Sequence, residues 1–417
     1  MARTNPNFDK LAAGYLFPEI AKRTAAFAKS HPGAEIIRLG IGNTTEPIPA
    51  HIVDGLMRGA EKLGDLSTYT GYGDEQGDSR LRKAIAEDYA RRGVKVDPLE
   101  IFVSDGAKSD LGNLMQMFPA ESVMAVQDPT YPAYVDTKVI VGGTGEFNRQ
   151  TGQYEGIVYM PCNRANGFFP EVPKEKVDLV YLCSPNNPTG AVATKKQLAK
   201  FVDFAREQKA VLVFDAAYAP FVRDDSLPKS IYEVPGAEEC AIEANSFSKI
   251  AGFTGVRLGW TVVPQKLQTE SKIIYDENGK PKNSLNALWN ARQTRFFNGA
   301  SNIAQEGGLY ALTEKGRSEC SELVDYYREN ARLIREGLAK RGIQAIGGEN
   351  APYVWLENPG KMKSWDFFDK LLNETEVVST PGSGFGPSGE YHTRLSAFGH
   401  RANVEKAVDR IVNRLKI

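Results

Sequence analysis

The sequence predicts an α/β fold: a large unit with a mainly parallel sheet between helices, joined to a smaller α+β unit. Two observations carry this. Up to about residue 300, apolar strand-like runs alternate with amphipathic helical stretches, and a βαβα alternation places parallel strands side by side with helices on both faces. Beyond that point one long charged helical stretch is followed by short strand-like runs and a final helix.

In chain order, IFVSDGA at 101–107, VMAVQDP at 123–129, DLVYLCSP at 178–185 and VLVFDAA at 211–217 read as buried strands. Each is rich in β-branched or aromatic residues and flanked by turn formers. KKQLAKFVDFAREQ at 195–208 reads as a helix, because Leu198, Phe201, Val202 and Ala205 recur at helical spacing. The strand runs end in Gly106, Asp128, Ser184 and Asp215. Ligands of open parallel sheets bind beyond the carboxyl ends of the strands, so these positions are the ones to inspect. Further on, EKGRSECSELVDYYRENARLIREGLAKRG, APYVWLE, HTRLSAFG and ANVEKAVDRIVNRLKI build the smaller unit, to which residues 1–45 are expected to return. The Gly/Pro cluster at 381–389 reads as an ordered turn.

Composition excludes several functions. The 417 residues carry 51 Lys+Arg against 52 Asp+Glu, which offers no basic field for a nucleic acid. No apolar run is long enough to span a membrane. The first residues, MARTNPNFDKLAAGY, lack the basic-then-apolar layout of a secretory leader. Cys162, Cys183, Cys240 and Cys320 stand far apart, and His31, His51, His392 and His400 show no ligand spacing, so neither disulfides nor zinc are expected. A cytoplasmic enzyme fits. GxxxxGK[ST] and GxSxG are absent, and GYGDEQG at 71–77 has the wrong glycine spacing for a dinucleotide fingerprint.

Four segments carry chemistry. In SFSK at 246–249, Lys249 follows two hydroxyls in a stretch with few charges. A lone lysine is ordinarily solvated, but burial would lower its pKa and make it a Schiff-base nucleophile. Ser246, Ser248 and Arg257, eight residues past the lysine, could hold a phosphate beside it. In DAAY at 215–218, Asp215 is either a loop cap or a carboxylate that keeps a heterocyclic nitrogen protonated, with Tyr218 available to donate to a phenolate oxygen. SPNNPTG at 184–190 reads by itself as a turn. SDGAK at 104–108 would set the Gly106 and Ala107 N–H groups at a helix N-terminus, an anion site.

Read together, GAK, NNPTG, DxxY, SxSK and the later arginine resemble the fold-type I, pyridoxal-phosphate-dependent aminotransferases of the aspartate aminotransferase class, over about residues 35–417. The resemblance implies a seven-stranded-type sheet in a cofactor domain at 46–295, and a discontinuous small domain at 1–45 and 296–417. It makes Lys249 the Schiff-base lysine, Asp215 the partner of the pyridine nitrogen, and Asn187 and Tyr218 the ligands of the cofactor O3′. Ser246, Ser248, Arg257 and the backbone at Ala107 and Lys108 become the phosphate cup; Tyr131 stacks on the cofactor, and Arg394 grips a substrate α-carboxylate.

NFDKLAAGYLFPEIAKR, GYGDEQG, GAKSD, FTGVRLGW, FNGASN and RLSAFG are similar, more narrowly, to the LL-diaminopimelate aminotransferases. That likeness implies glutamate, 2-oxoglutarate, tetrahydrodipicolinate and LL-diaminopimelate as substrates. It also implies a homodimer in which Tyr72, Glu75 and Asn298 complete the neighbouring site, Tyr72 and Asn298 towards the cofactor and Glu75 and Asn298 towards the substrate. From its sequence alone Glu75 could equally be an acid favoured at a helix N-terminus. Tyr15, Gly42, Lys108, Tyr131 and Asn187 are implied as further substrate contacts, and Ser109 stands where the family usually has cysteine. An aspartate, alanine or aromatic aminotransferase, or a β-lyase on the same scaffold, remains an alternative.

Overall fold

The computed structural model describes residues 1–11, 16–271 and 283–417. Its central sheet has seven strands: β1 (Ile101–Ser104), β2 (Met124–Asp128), β3 (Ile157–Pro161), β4 (Leu179–Cys183), β5 (Val211–Asp215), β6 (Ala241–Ser246) and β7 (Gly259–Val262). Across the sheet they lie in the order β1-β7-β6-β5-β4-β2-β3. All pairings are parallel except the two made by β7, which runs antiparallel to β1 and β6. The mainly parallel α/β architecture expected from the sequence is therefore present.

Local sequence explains the elements. β1, β2 and β4 are buried along their whole length, as continuous apolar runs in a doubly covered sheet must be. The helix Lys195–Gln208 begins at a capping box, where Thr194 Oγ1 accepts from Gln197 N at 3.2 Å and Gln197 Oε1 accepts from Thr194 N at 2.9 Å. It buries Leu198, Phe201, Val202 and Ala205 against the sheet; full burial of each larger side chain contributes roughly 1.5–3 kcal/mol.

A second, antiparallel sheet orders β8 (Ala345–Gly347), β9 (Tyr353–Glu357), β11 (His392–Ser396) and β10 (Thr380–Pro381), with Trp355 opposite Arg394. The helices Glu314–Lys340, Ser364–Thr375 and Arg401–Arg414 close its core through Ile334, Leu338, Leu371, Val404 and Ile411. Ile37–Arg38 pairs in parallel with Val377–Val378. The 381–389 cluster forms two 3-10 turns. The helix Asn302–Ala311 packs closely on Ala50–Leu63, where a Cβ at Gly59 would come within 2.9 Å of Ile303 Cα. Among the described residues no helix is long and apolar enough to cross a membrane.

Candidate active site

The carboxyl ends of β1, β4, β5 and β6 converge on a cavity of about 320 Å³. It is lined by Ala107, Lys108, Tyr131, Asn187, Asp215, Tyr218, Ser246, Ser248, Lys249, Arg257 and Arg394, and by Gly42 from the early chain. Twelve residues singled out in the sequence thus meet in one place.

Each arrives for a local reason. β6 ends at Ser246, whose side chain accepts from Ser248 N at 3.0 Å and starts the short helix Phe247–Ile250 that carries Lys249. Ser246 pairs with Gly259 across β6 and β7, so the loop between them returns Arg257 to the same cavity. Arg257 sits in the left-handed region at φ 69, an unfavourable conformation for a side chain of this size. Its Nη1 donates to Ser248 Oγ at 3.4 Å. Gly106 precedes the helix Ala107–Asn113 at φ 131, and a Cβ there would collide with the Arg257 guanidinium. The helix is anchored from beneath by buried Asp110, which accepts from Ser104 Oγ at 2.6 Å and Thr261 Oγ1 at 2.7 Å.

The electrostatics are lopsided. Burial, and then the Arg394 and Arg257 guanidiniums, push the Lys249 amine down to about 8; it donates to Gly42 O. Arg394 is 2% exposed, donates to Asn187 Oδ1 at 2.6 Å and to Gly40 O at 2.6 Å, and its buried Nε finds no partner among the described residues. Burial raises the Asp215 pKa, against the pull of donors at Tyr134 and Ala217 N. Among the described residues Lys108, Lys249, Arg257, Arg394 and Asp215 form no ion pairs. Four cations and one carboxylate, unpaired around one cavity, suit a ligand with several anionic groups and one cationic edge.

Comparison with known proteins identifies the family. A family model described as aminotransferase class I and II matches residues 34–411. The chain belongs to that family. This aminotransferase resembles L,L-diaminopimelate aminotransferase from Chlamydomonas reinhardtii at 48% identity over 98% of both chains, with a TM-score of 0.89. A substrate-bound BacF structure from Bacillus subtilis aligns at 29% identity over 99% of this chain and 98% of the other, with a TM-score of 0.80. Aromatic aminotransferase from Pyrococcus horikoshii aligns at 25% identity over 93% and 97%, with a TM-score of 0.77. The enzyme is a pyridoxal-phosphate-dependent transaminase, and the unpaired charges fit that cofactor: cations for its phosphate, a carboxylate for its ring nitrogen.

Not every residue singled out in the sequence reaches the cavity. Tyr72, Glu75 and Asn298 do not line it. Tyr72 is 83% exposed, Asn298 is exposed and Glu75 half-buried. The chain beside Asn298 passes close to Glu75, since a Cβ on Gly299 would lie 3.7 Å from Glu75 Cα. Tyr15 lies outside the described residues. Ser109 is absent from the lining; its N–H bonds to Gly106 O at 3.1 Å.

Sequence reasoning passed over Tyr134, Tyr353, Phe17 and Thr254. Tyr134 donates to Asp215 Oδ2 at 2.5 Å; it stands one helical turn after Tyr131 in DPTYPAY, a spacing that could have revealed it. Phe17, Thr254 and Tyr353 line the cavity.

Proposed function

We propose that this transaminase moves an amino group between glutamate/2-oxoglutarate and tetrahydrodipicolinate (as its open-chain keto form)/LL-2,6-diaminopimelate, in lysine and cell-wall precursor biosynthesis. The observation that carries this reading is the 48% identity, over 98% of both chains, to the Chlamydomonas enzyme. The cofactor domain, at 46–295, supplies Lys249 and Asp215, and the second unit, at 1–45 and 296–417, supplies Gly42 and Arg394. The enzyme works in the cytoplasm or, in a plant or alga, in the plastid stroma.

Pyridoxal 5′-phosphate, when bound, supplies the electron sink that makes a substrate Cα proton labile. The protein binds, orients and moves protons. Lys249 attaches the cofactor, and its lowered pKa keeps a usable neutral fraction near physiological pH, suited to moving a proton away from substrate Cα. Asp215 would hold the proton of the pyridine nitrogen, and that N–H⁺ would offset the burial that otherwise raises this carboxyl. Ser246, Ser248, Arg257 and the Ala107 and Lys108 backbone hold the phosphate, while Asn187 and Tyr218 hold O3′. Tyr131, whose own ring centroid lies 5.9 Å from Lys108 Nζ, would stack on the cofactor.

Arg394 takes the substrate α-carboxylate as a planar fork already aimed by Asn187 and Gly40. Gly42 and Tyr15, with Lys108, Tyr131 and Asn187, complete the substrate pocket. Tyr72, Glu75 and Asn298 complete the site of a partner subunit in a homodimer. Their position away from the cavity of their own chain, with Tyr72 and Asn298 exposed, supports this. Glu75 there meets the distal ammonium of a substrate that is an amino acid at both ends.

The test is glutamate formation from 2-oxoglutarate with LL-diaminopimelate, meso-diaminopimelate, aspartate, alanine and phenylalanine as donors. Preferred turnover of the LL isomer is expected. Preference for a monoamino donor would replace this reading, as would pyruvate and ammonia released without a keto acid.

A further inference from the structure

Tyr353 is not among the residues that hold cofactor or substrate, yet it belongs to the same cavity. It opens β9, is 1% exposed, and lines the cavity. Its hydroxyl is 2.8 Å from that of Tyr218, the rings meeting edge-on with centroids 5.1 Å apart. The Arg394 guanidinium lies 4.4 Å from its ring centroid. A Cβ at Gly42 would overlap the same hydroxyl, so the early chain is held close against it.

A hydroxyl here needs a reason, because a phenylalanine would fill the space without the cost of burying a polar group. Burial raises the pKa of both phenols, so both oxygens keep their protons. Each has one proton to give and two lone pairs. When Tyr218 gives its proton to a ligand oxygen, the short contact between the phenols is made with Tyr353 as donor. The Arg394 charge beside the ring favours that donation, and hydrogen bonds in series polarise one another.

We propose that Tyr353 is a positioning residue for the cofactor's phenolic oxygen: its O–H donates to Tyr218, and thereby aims and strengthens the O–H that Tyr218 gives to O3′. This rests on the reading of Tyr218 as an O3′ ligand. A stronger donor at O3′ favours its deprotonated form, so the pair holds down the pKa of the bound cofactor's visible absorbance band.

The experiment is a spectrophotometric pH titration of that band in the holoenzyme and in Y218F, Y353F and the double variant. Y353F keeps the ring contacts and should fold, which thermal unfolding checks. Y218F should raise the band pKa, Y353F should raise it by on the order of half a unit, and the double variant should match Y218F alone. An unchanged band in Y353F beside a shifted one in Y218F overturns the proposal and leaves the Tyr218 reading intact. Additive shifts in the double variant also overturn it, because Tyr353 would then act without Tyr218. No shift in Y218F removes the Tyr218 reading, and the proposal with it.

Discussion

Tyr134 donates its phenolic proton to Asp215 Oδ2 across 2.5 Å, with both side chains buried. The bond opposes the desolvation that drives the carboxyl towards its neutral form. Tyr134→Phe should therefore weaken cofactor binding. A buried acceptor deprived of its donor costs about 1–3 kcal/mol, or roughly tenfold in the dissociation constant. Titration of the apoenzyme with cofactor, followed by fluorescence, measures it; unchanged affinity would leave Tyr134 as packing only.

Lys249→Ala should abolish reducible covalent attachment of the cofactor, seen as loss of the visible band and of borohydride-fixed label. Turnover should fall by roughly a thousandfold or more, the range expected when a positioned acid–base group is lost together with attachment. A persistent band with fixed label would assign attachment to another lysine.

The lowered pKa of Lys249 has a thermodynamic sign. Folded, the amine releases its proton near 8; unfolded, it does so near the ordinary lysine value of 10.5. Between these values the unfolded chain binds more protons, so this group adds stability as pH rises from about 8 to about 10.5 and adds nothing further above that window. Below about 8 the fold bears the full penalty of a buried cation. For the cofactor-free protein, Lys249→Met should melt higher than wild type at pH 7, with the gap closing towards pH 10.5. A gap independent of pH would show an unperturbed amine.

Arg394→Lys replaces a two-pronged donor with a point charge that cannot serve Asn187 Oδ1, Gly40 O and an incoming carboxylate with the same geometry. The KM for amino and keto acids should rise about 30-fold, equivalent to roughly 2 kcal/mol for a charge-assisted bond. Steady-state kinetics decide; a fall in kcat alone would move Arg394 out of carboxylate binding.

Glu75→Gln keeps the shape and removes the charge. KM for LL-diaminopimelate should rise at least about tenfold, as for the loss of a hydrogen bond to a charged group, while KM for glutamate stays nearly constant. Equal effects on both substrates would make Glu75 structural.

The legible parts of the fold were those where one residue's chemistry states its surroundings. β1, β4 and β5 were readable because their runs have no polar interruption before the last residue, and β2 because Met124, Ala125 and Val126 precede its polar end at Gln127 and Asp128. β6 was not, since AIEANS carries a glutamate and an asparagine that look solvent-facing. Glu243 is nonetheless fully buried, its oxygens taking Tyr89 Oη at 2.6 Å, Ser230 Oγ at 2.6 Å and Ile231 N at 2.9 Å. Partners that distant in sequence leave no local trace. Lys249, Asp215 and Asn187, by contrast, could be singled out in advance by the local motifs that hold them. Tyr353 could not, because in APYVWLE it is one more aromatic in a strand, and its significance comes from Tyr218, 135 residues away.

The pairing of Ser246 with Gly259 closes the chain between them into a loop whose two ends are neighbours in the sheet. Lys249 and Arg257 both ride on that loop, and a Cβ at Gly259 would approach Ala107 N to 3.0 Å. The Lys249 amine and the Arg257 guanidinium are therefore mechanically a single part, braced against the Ala107 turn. An insertion in this loop would displace both together. Arg394 arrives on the other sheet, and it acts on Lys249 through its charge rather than through the loop.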